Sequence, residues 1–168
     1  TPDPIDWDSY PSQRADTVMT WDPTRNTLMM VGYSAPYLEV LDGQPYNGFQ
    51  WEWTGTNWNR VEPEDPEGDG SPGDGVVWES DTRYKLCADD ARNRVMAVHH
   101  SGELFITQAQ WNGTSWQYVD AADPTGDGTP TSRSRFGLTY DSERQVSTML
   151  GGRVGNVSQD ELWEWHAG

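Results

Sequence analysis

The stretch TVMTWDPTRNTLMMVGY (residues 17–33) is two runs of alternating apolar residues joined by a polar turn that carries Asp22 and Arg25. The same arrangement returns as YKLCADDARNRVMAVHH (84–100), with Asp89 and Arg92, and as FGLTYDSERQVSTMLGG (136–152), with Asp141 and Arg144. The aspartates lie 67 (89 − 22) and 52 (141 − 89) residues apart. Alternation with a period of two predicts strands, and the Asp-x-x-Arg turn between them predicts a hairpin. Internal repetition on this scale governs how every other motif is read.

A second set follows the first: FQWEWTGTNWNRV (49–61), TQAQWNGTSWQYV (107–119) and DELWEWHAG (160–168). Trp53, Trp111 and Trp165 align at spacings of 58 and 54, and Trp58 and Trp116 each lie five residues further on. Alone, WEWTGTNW (51–58) suggests a sugar-stacking platform. Repeated, it reads as a Gly turn between two outer strands, with Trp53 and Trp58 paired across it and packing between neighbouring units. Each unit then holds four short strands, and a four-stranded antiparallel unit recurring near 50 residues is a propeller blade. The expected division is 15–72, 73–130 and 131–168 for three blades, the third lacking its last strand. Residues 1–14, containing IDWDSYPSQR, supply a strand with Trp7 in the place of Trp58 and Trp116.

Composition agrees with an all-β chain. Glycine (17) and proline (11) make 28 of 168 residues, and no stretch keeps helical apolar spacing for more than two turns. The net charge of −16 argues against nucleic acid, whose binders need a basic footprint. No apolar run approaches the roughly 20 residues that span a bilayer. Cys87 is the single cysteine, so no intramolecular disulfide exists, and YKLCADD places it on a buried strand rather than in the basic setting of a reactive thiol. The opening TPDPIDW carries no signal-peptide pattern, and with the closing WEWHAG it suggests a segment cut from a longer chain.

Arg135-Phe136-Gly137 opening the third unit, Gly151-Gly152 ending its second strand and the spaced aromatic pair resemble the kelch repeat. WEWTGTNW resembles its bacterial form, W-x-W-x-G-x-x-W. The resemblance spans nearly the whole chain and departs at Gly32-Tyr33 and His99-His100, which stand where Gly-Gly is expected. It implies an all-β propeller of kelch-like blades and says little about chemistry, since such propellers serve as scaffolds, interaction modules and occasional enzyme domains. Propellers close with about four to eight blades, so three blades' worth of strands calls for completion. Either further blades of a longer propeller complete the ring, or two copies close six blades, each lending its first strand to the other's open blade. A version of that exchange that does not close gives a filament.

The short turns fall on one rim, and the long insertions 34–48, 62–82 and 120–134 fall on the other, where binding is usually built. Trp78, Tyr37 and Tyr46 lie in these insertions, outside the repeat, and are the candidates for stacking on a carbohydrate. DPEGDGSP (65–72) and DPTGDGTP (123–130) resemble the first half of a calcium loop, with Asp65, Glu67, Asp69 and Asp74 in one and Asp123 and Asp127 in the other. Val76 and Ser134 stand where the bidentate glutamate belongs, so a bound Ca²⁺ and a plain Gly-Asp turn both remain open. His99 and His100 point to opposite faces of a strand and do not easily share one metal. No serine lies in a nucleophile elbow and no carboxylate couple stands out, so no catalytic residue is assigned. The functional expectation is a non-enzymatic extracellular binding or structural module, secreted and bacterial, that associates with protein partners or its own copies. A lectin-like propeller and the non-catalytic part of a larger secreted enzyme are the alternatives.

Overall fold

The computed structural model describes residues 11, 14–34, 40–41, 44–45, 49–66, 84–100, 106–119 and 128–166. In chain order the strands are β1 (Arg14–Asp22), β2 (Thr27–Ser34), β3 (Val40–Leu41), β4 (Gln44–Pro45), β5 (Phe49–Trp53), β6 (Trp58–Val61), β7 (Tyr84–Asp89) and β8 (Arg94–His100). They continue as β9 (Ile106–Trp111), β10 (Trp116–Tyr118), β11 (Gly137–Asp141), β12 (Val146–Leu150), β13 (Arg153–Val154), β14 (Val157–Ser158) and β15 (Leu162–His166). Every pairing is antiparallel. No helix occurs among the described residues.

Two sheets have four strands whose spatial order follows the chain, β1-β2-β5-β6 and β7-β8-β9-β10, and a third has three, β11-β12-β15. The pairs β3-β4 and β13-β14 are small hairpins set in the connections between the second and third strands of the first and third sheets. The chain is therefore an all-β protein of antiparallel sheets.

The repeated hairpins have a local cause. In each Asp-x-x-Arg turn the residue after the arginine adopts a left-handed conformation: Asn26 (φ 54°), Asn93 (φ 53°) and Gln145 (φ 57°). Asparagine tolerates that region better than most residues. The aspartate ties the turn from the other side. Asp22 Oδ1 accepts from the Thr24 amide at 2.9 Å, and Asp141 Oδ1 accepts from the Glu143 and Arg144 amides at 3.0 Å each. Asp89 Oδ1 accepts from the Arg92 amide at 3.2 Å. These turns close the registers Asp22↔Thr27, Asp89↔Arg94 and Asp141↔Val146.

The sheets bury their faces against one another. β7 contacts both β1 and β11, so the first strands of the three sheets follow in succession. Each sheet has an aspartate face and, with opposite parity, a tryptophan face. Met29, Val31 and Val61 on the aspartate face of the first sheet pack with Leu86, Val95, Ala97, Trp111 and Trp116 on the tryptophan face of the second. Val98 on the other side of the second sheet packs with Met149 and Trp165 of the third, and with Phe136 just before β11. Tryptophan face thus meets aspartate face at both seams.

Gln145 is the least suited of the three left-handed residues, so we expect Gln145→Asn to stabilise the protein by about 0.5–1 kcal/mol. Thermal melting checks this: a rise of a few degrees is expected, and no change would mean that the turn relaxes without strain.

Candidate functional site

Among the described residues, the seam between the first two sheets carries four hydrogen bonds from one sheet or its flanking turn to the other. Trp111 Nε1 donates to Asp22 Oδ2 at 2.8 Å, joining residues 89 apart in the chain. Both residues are fully buried. The other oxygen, Oδ1, accepts from the Thr24 hydroxyl at 2.6 Å and from the Arg25 amide at 3.4 Å, in addition to the Thr24 amide. One carboxylate therefore caps its own hairpin and anchors the next sheet. Burying it is tolerable because its bonding capacity is filled.

Three further bonds lie along the same seam. Trp116 Nε1 donates to Gln50 Oε1 at 2.9 Å. Arg25 Nη1 donates to the Gly113 carbonyl at 3.1 Å. The Glu64 amide donates to the Thr114 carbonyl at 2.8 Å, fastening the chain beyond β6 to the hairpin between β9 and β10. Arg25 is held in place by a two-pronged pair with Glu52, Nε to Oε2 at 2.7 Å and Nη2 to Oε1 at 3.0 Å. Such forked arginine–carboxylate pairs fix geometry as well as supplying attraction. An open groove of about 440 Å³ runs beside it, lined by Arg25, Asn26, Thr27, Glu52 and Thr54. Its two charged side chains are already spent on each other, so it presents an ion pair rather than a ligand-seeking charge.

The two tryptophan hairpins share the same pairing across a glycine turn. Trp53 and Trp58 pair across β5 and β6 with ring centroids 5.5 Å apart, and Trp111 and Trp116 pair across β9 and β10 at the same 5.5 Å. Gly55 and Gly113 supply the left-handed residue of each turn, at φ 97° and 102°. Their surroundings differ. A Cβ on Gly113 would come within 2.9 Å of Thr24 Oγ1 and 3.2 Å of Thr24 Cβ, whereas one on Gly55 would meet nothing within 4 Å.

The second seam uses the same faces with different chemistry. Asp89 turns to its own Arg92 at 2.9 Å, and Cys87 Sγ lies 3.7 Å from Ser147 Oγ across the sheets. Burial pushes the Cys87 thiol up to about 11, against a smaller opposing effect from Ser147, which makes it a packing residue and a poor nucleophile. Trp165 is buried here against Met149 and Phe136. At the other end of the seam the Ser132 hydroxyl meets His100 Nδ1, so His100 serves as a hydrogen-bonding partner between sheets.

Arg133 is a buried, multiply bonded residue that sequence reasoning passed over in favour of Arg135. Its side chain is fully buried, with Nε on the Thr131 carbonyl at 3.0 Å, Nη1 on the Gly151 carbonyl at 3.4 Å and Nη2 on Glu161 at 2.7 Å. A Cβ on Gly152 would lie 3.1 Å from Arg133 Cδ and 3.0 Å from the Ser134 carbonyl, and one on Gly151 would lie 3.2 Å from the Gln159 carbonyl, which explains the Gly-Gly pair there. Glu161, held by Arg133 and by the Trp163 indole, ionises more readily than an ordinary glutamate. Arg135 is exposed and left-handed at φ 59°. The signal available in the sequence was the glycine pair, which requires a close neighbour without saying which one.

Of the residues singled out from the sequence, the structure brings Trp111 and Trp116 together with Asp22 and Gln50, and Trp53 with Trp58. Trp7, Tyr37, Tyr46, Glu67, Asp69, Asp74, Trp78, Asp123 and Asp127 lie outside the described residues, while Asp65 is described and half-buried. Among the described residues no group of three or more His, Cys, Asp or Glu side chains is placed to hold a metal ion. No protein-family model matches the chain, and no curated protein matches it either.

The two hairpin glycines provide an internal control. Gly113→Ala and Gly55→Ala both force alanine into a left-handed conformation, at a cost of about 1–2 kcal/mol. Gly113→Ala also drives a methyl group into Thr24, so we expect it to lose about 1–3 kcal/mol more in denaturant unfolding. Equal losses would show that the seam yields freely at Thr24.

Proposed function

We propose that the chain is a segment of a kelch-type β-propeller that acts as a non-enzymatic, extracellular scaffold or binding module and assembles with further copies. The single observation that carries this reading is the stacking of sheets of chain-ordered antiparallel strands, tryptophan face on aspartate face, with the first strands β1, β7 and β11 in succession. Radial repetition of such sheets about their first strands is the propeller architecture. Three sheets do not close a ring of the usual size, and among the described residues β15 has a partner on one side only. An open strand edge favours addition of a strand from another molecule. The expected donor segment 1–14 ends on Arg14, which belongs to β1 opposite Ser34, so we assign that role to residues 1–13, with Trp7 taking the position that Trp58 and Trp116 hold in the other two sheets. The net charge of −16 favours a soluble particle and disfavours nucleic acid.

Negative-stain electron microscopy of the purified 168-residue chain, paired with a glycan array, tests the reading. Rings or curved filaments of wedge-shaped units with no sugar bound are expected. Isolated single-chain particles that bind sugars would replace it with a lectin function.

A further inference from the structure

Among the described residues no further sheet packs on the two outermost sheet faces, and although Met30 and Trp51 on the first and Val146 on the third are buried, each face leaves exposed several positions that the internal seams bury. On the third sheet, Leu150 occupies the position of Val31 and Val98, nine residues after the turn aspartate. Both valines are fully buried by the following sheet, whereas Leu150 is 57% exposed. Leu162 occupies the position of the buried Gln50 and Gln108, and it too is 57% exposed. Asp141 stands where Asp22 and Asp89 are buried, with its side chain 32% exposed.

The first sheet shows the reciprocal deficit. Met19, at the position of the buried Leu86, is 57% exposed, and the neighbouring Trp21 is 46% exposed. Trp53 and Trp58 are half-buried where Trp111 and Trp116 are fully buried. Gly55 faces open space where Gly113 abuts the turn of the preceding sheet. Apolar side chains left at register positions that are otherwise buried mark a surface built to be covered.

We infer that the tryptophan face of the first sheet docks on the aspartate face of the third sheet of a second copy of this chain, head to tail. The inference rests on the assembly reading above and names its partner and its contacts. Following the internal seam, the Trp53 indole N–H donates to Asp141 of the second copy, as Trp111 does to Asp22. Asp141 keeps capacity for it, since a carboxylate offers about four acceptor sites and its turn uses two amides and the Arg144 guanidinium. Arg144 reaches the Gly55 carbonyl, as Arg25 reaches Gly113. Met19 packs on Leu150, as Leu86 packs with Val31, and Trp58 covers Leu162, at the positions that Trp116 and Gln50 hold in the internal seam. The contact uses different surfaces on its two sides, so it closes into a ring or propagates.

Complementation tests this directly. Met19→Glu spoils only the tryptophan face and Leu150→Glu only the aspartate face. Both side chains are exposed, so each variant should keep the wild-type circular dichroism and melting temperature; Trp21→Glu and Leu162→Glu form a second pair. In sedimentation velocity the wild-type chain should associate and each variant alone should be monomeric. An equimolar mixture should form a discrete one-to-one dimer, because one intact contact remains. Trp53→Phe, which removes only the N–H, should weaken wild-type association by about tenfold or more. Association that survives both face variants, or a mixture that stays monomeric, overturns the inference while leaving assembly through another surface. A wild-type chain that is monomeric at about 100 μM, a concentration at which even weak specific contacts of micromolar Kd are occupied, overturns both this inference and the assembly reading.

Discussion

A carboxylate with no exposure to water must have its acceptor capacity filled by the protein. Asp22 meets that condition only when two separate pieces of chain are in place. Its own turn supplies the amides and hydroxyl within three residues, and the second sheet supplies the Trp111 indole from 89 residues away. Hairpin formation and sheet stacking are thereby joined at one atom group. If the second sheet were displaced, the carboxylate would lose a bond and Trp111 would bury an unpaired N–H. The penalty falls on both sheets, which makes the relative position of the two a defined one.

The same coupling explains why the chain needs repetition. A single four-stranded sheet has two faces and can bury neither alone. Stacking gives the second sheet two covered faces, and its Val95, Met96, Ala97 and Val98 are all buried. The first and third sheets each have one face against the second; their outer faces keep buried centres at Met30, Trp51 and Val146 but carry the exposed apolar residues Met19, Trp21, Leu150 and Leu162. In an array where each unit contacts only its neighbours, the terminal units are the ones that require a cap or a partner. Stability and association are accordingly aspects of one surface chemistry, repeated.

The strands and their pairing were legible because each feature left a short, recurrent pattern. Period-two alternation located β1, β2, β7, β8, β11 and β12, and Gly55 and Gly113 marked the turns between paired tryptophans. The pairing of Trp53 with Trp58 followed from their spacing, and the two occupy facing positions in the sheet. What the sequence hid was long-range. Asp-x-x-Arg looks like a local ion pair, and in the second and third copies it is one. In the first copy Arg25 pairs with Glu52 and Asp22 takes Trp111, because the side chains arriving from neighbouring strands and sheets decide the partner. Arg133 escaped notice for the same reason: its partners Gly151 and Glu161 converge on it from 18 and 28 residues further along the chain. The candidate ligands in the long insertions depend on loop geometry that composition alone does not specify.

The Asp22–Trp111 bond couples hairpin to sheet, and a double-mutant cycle measures that coupling. Asp22→Ala, Trp111→Phe and the double variant would be unfolded in denaturant and compared with the wild-type chain. An interaction energy of about 1.5–3 kcal/mol is expected, the range for a hydrogen bond to a charged group. Losses that add to within about 0.5 kcal/mol would mean that the two residues act independently, and the seam would then be held by apolar contact alone.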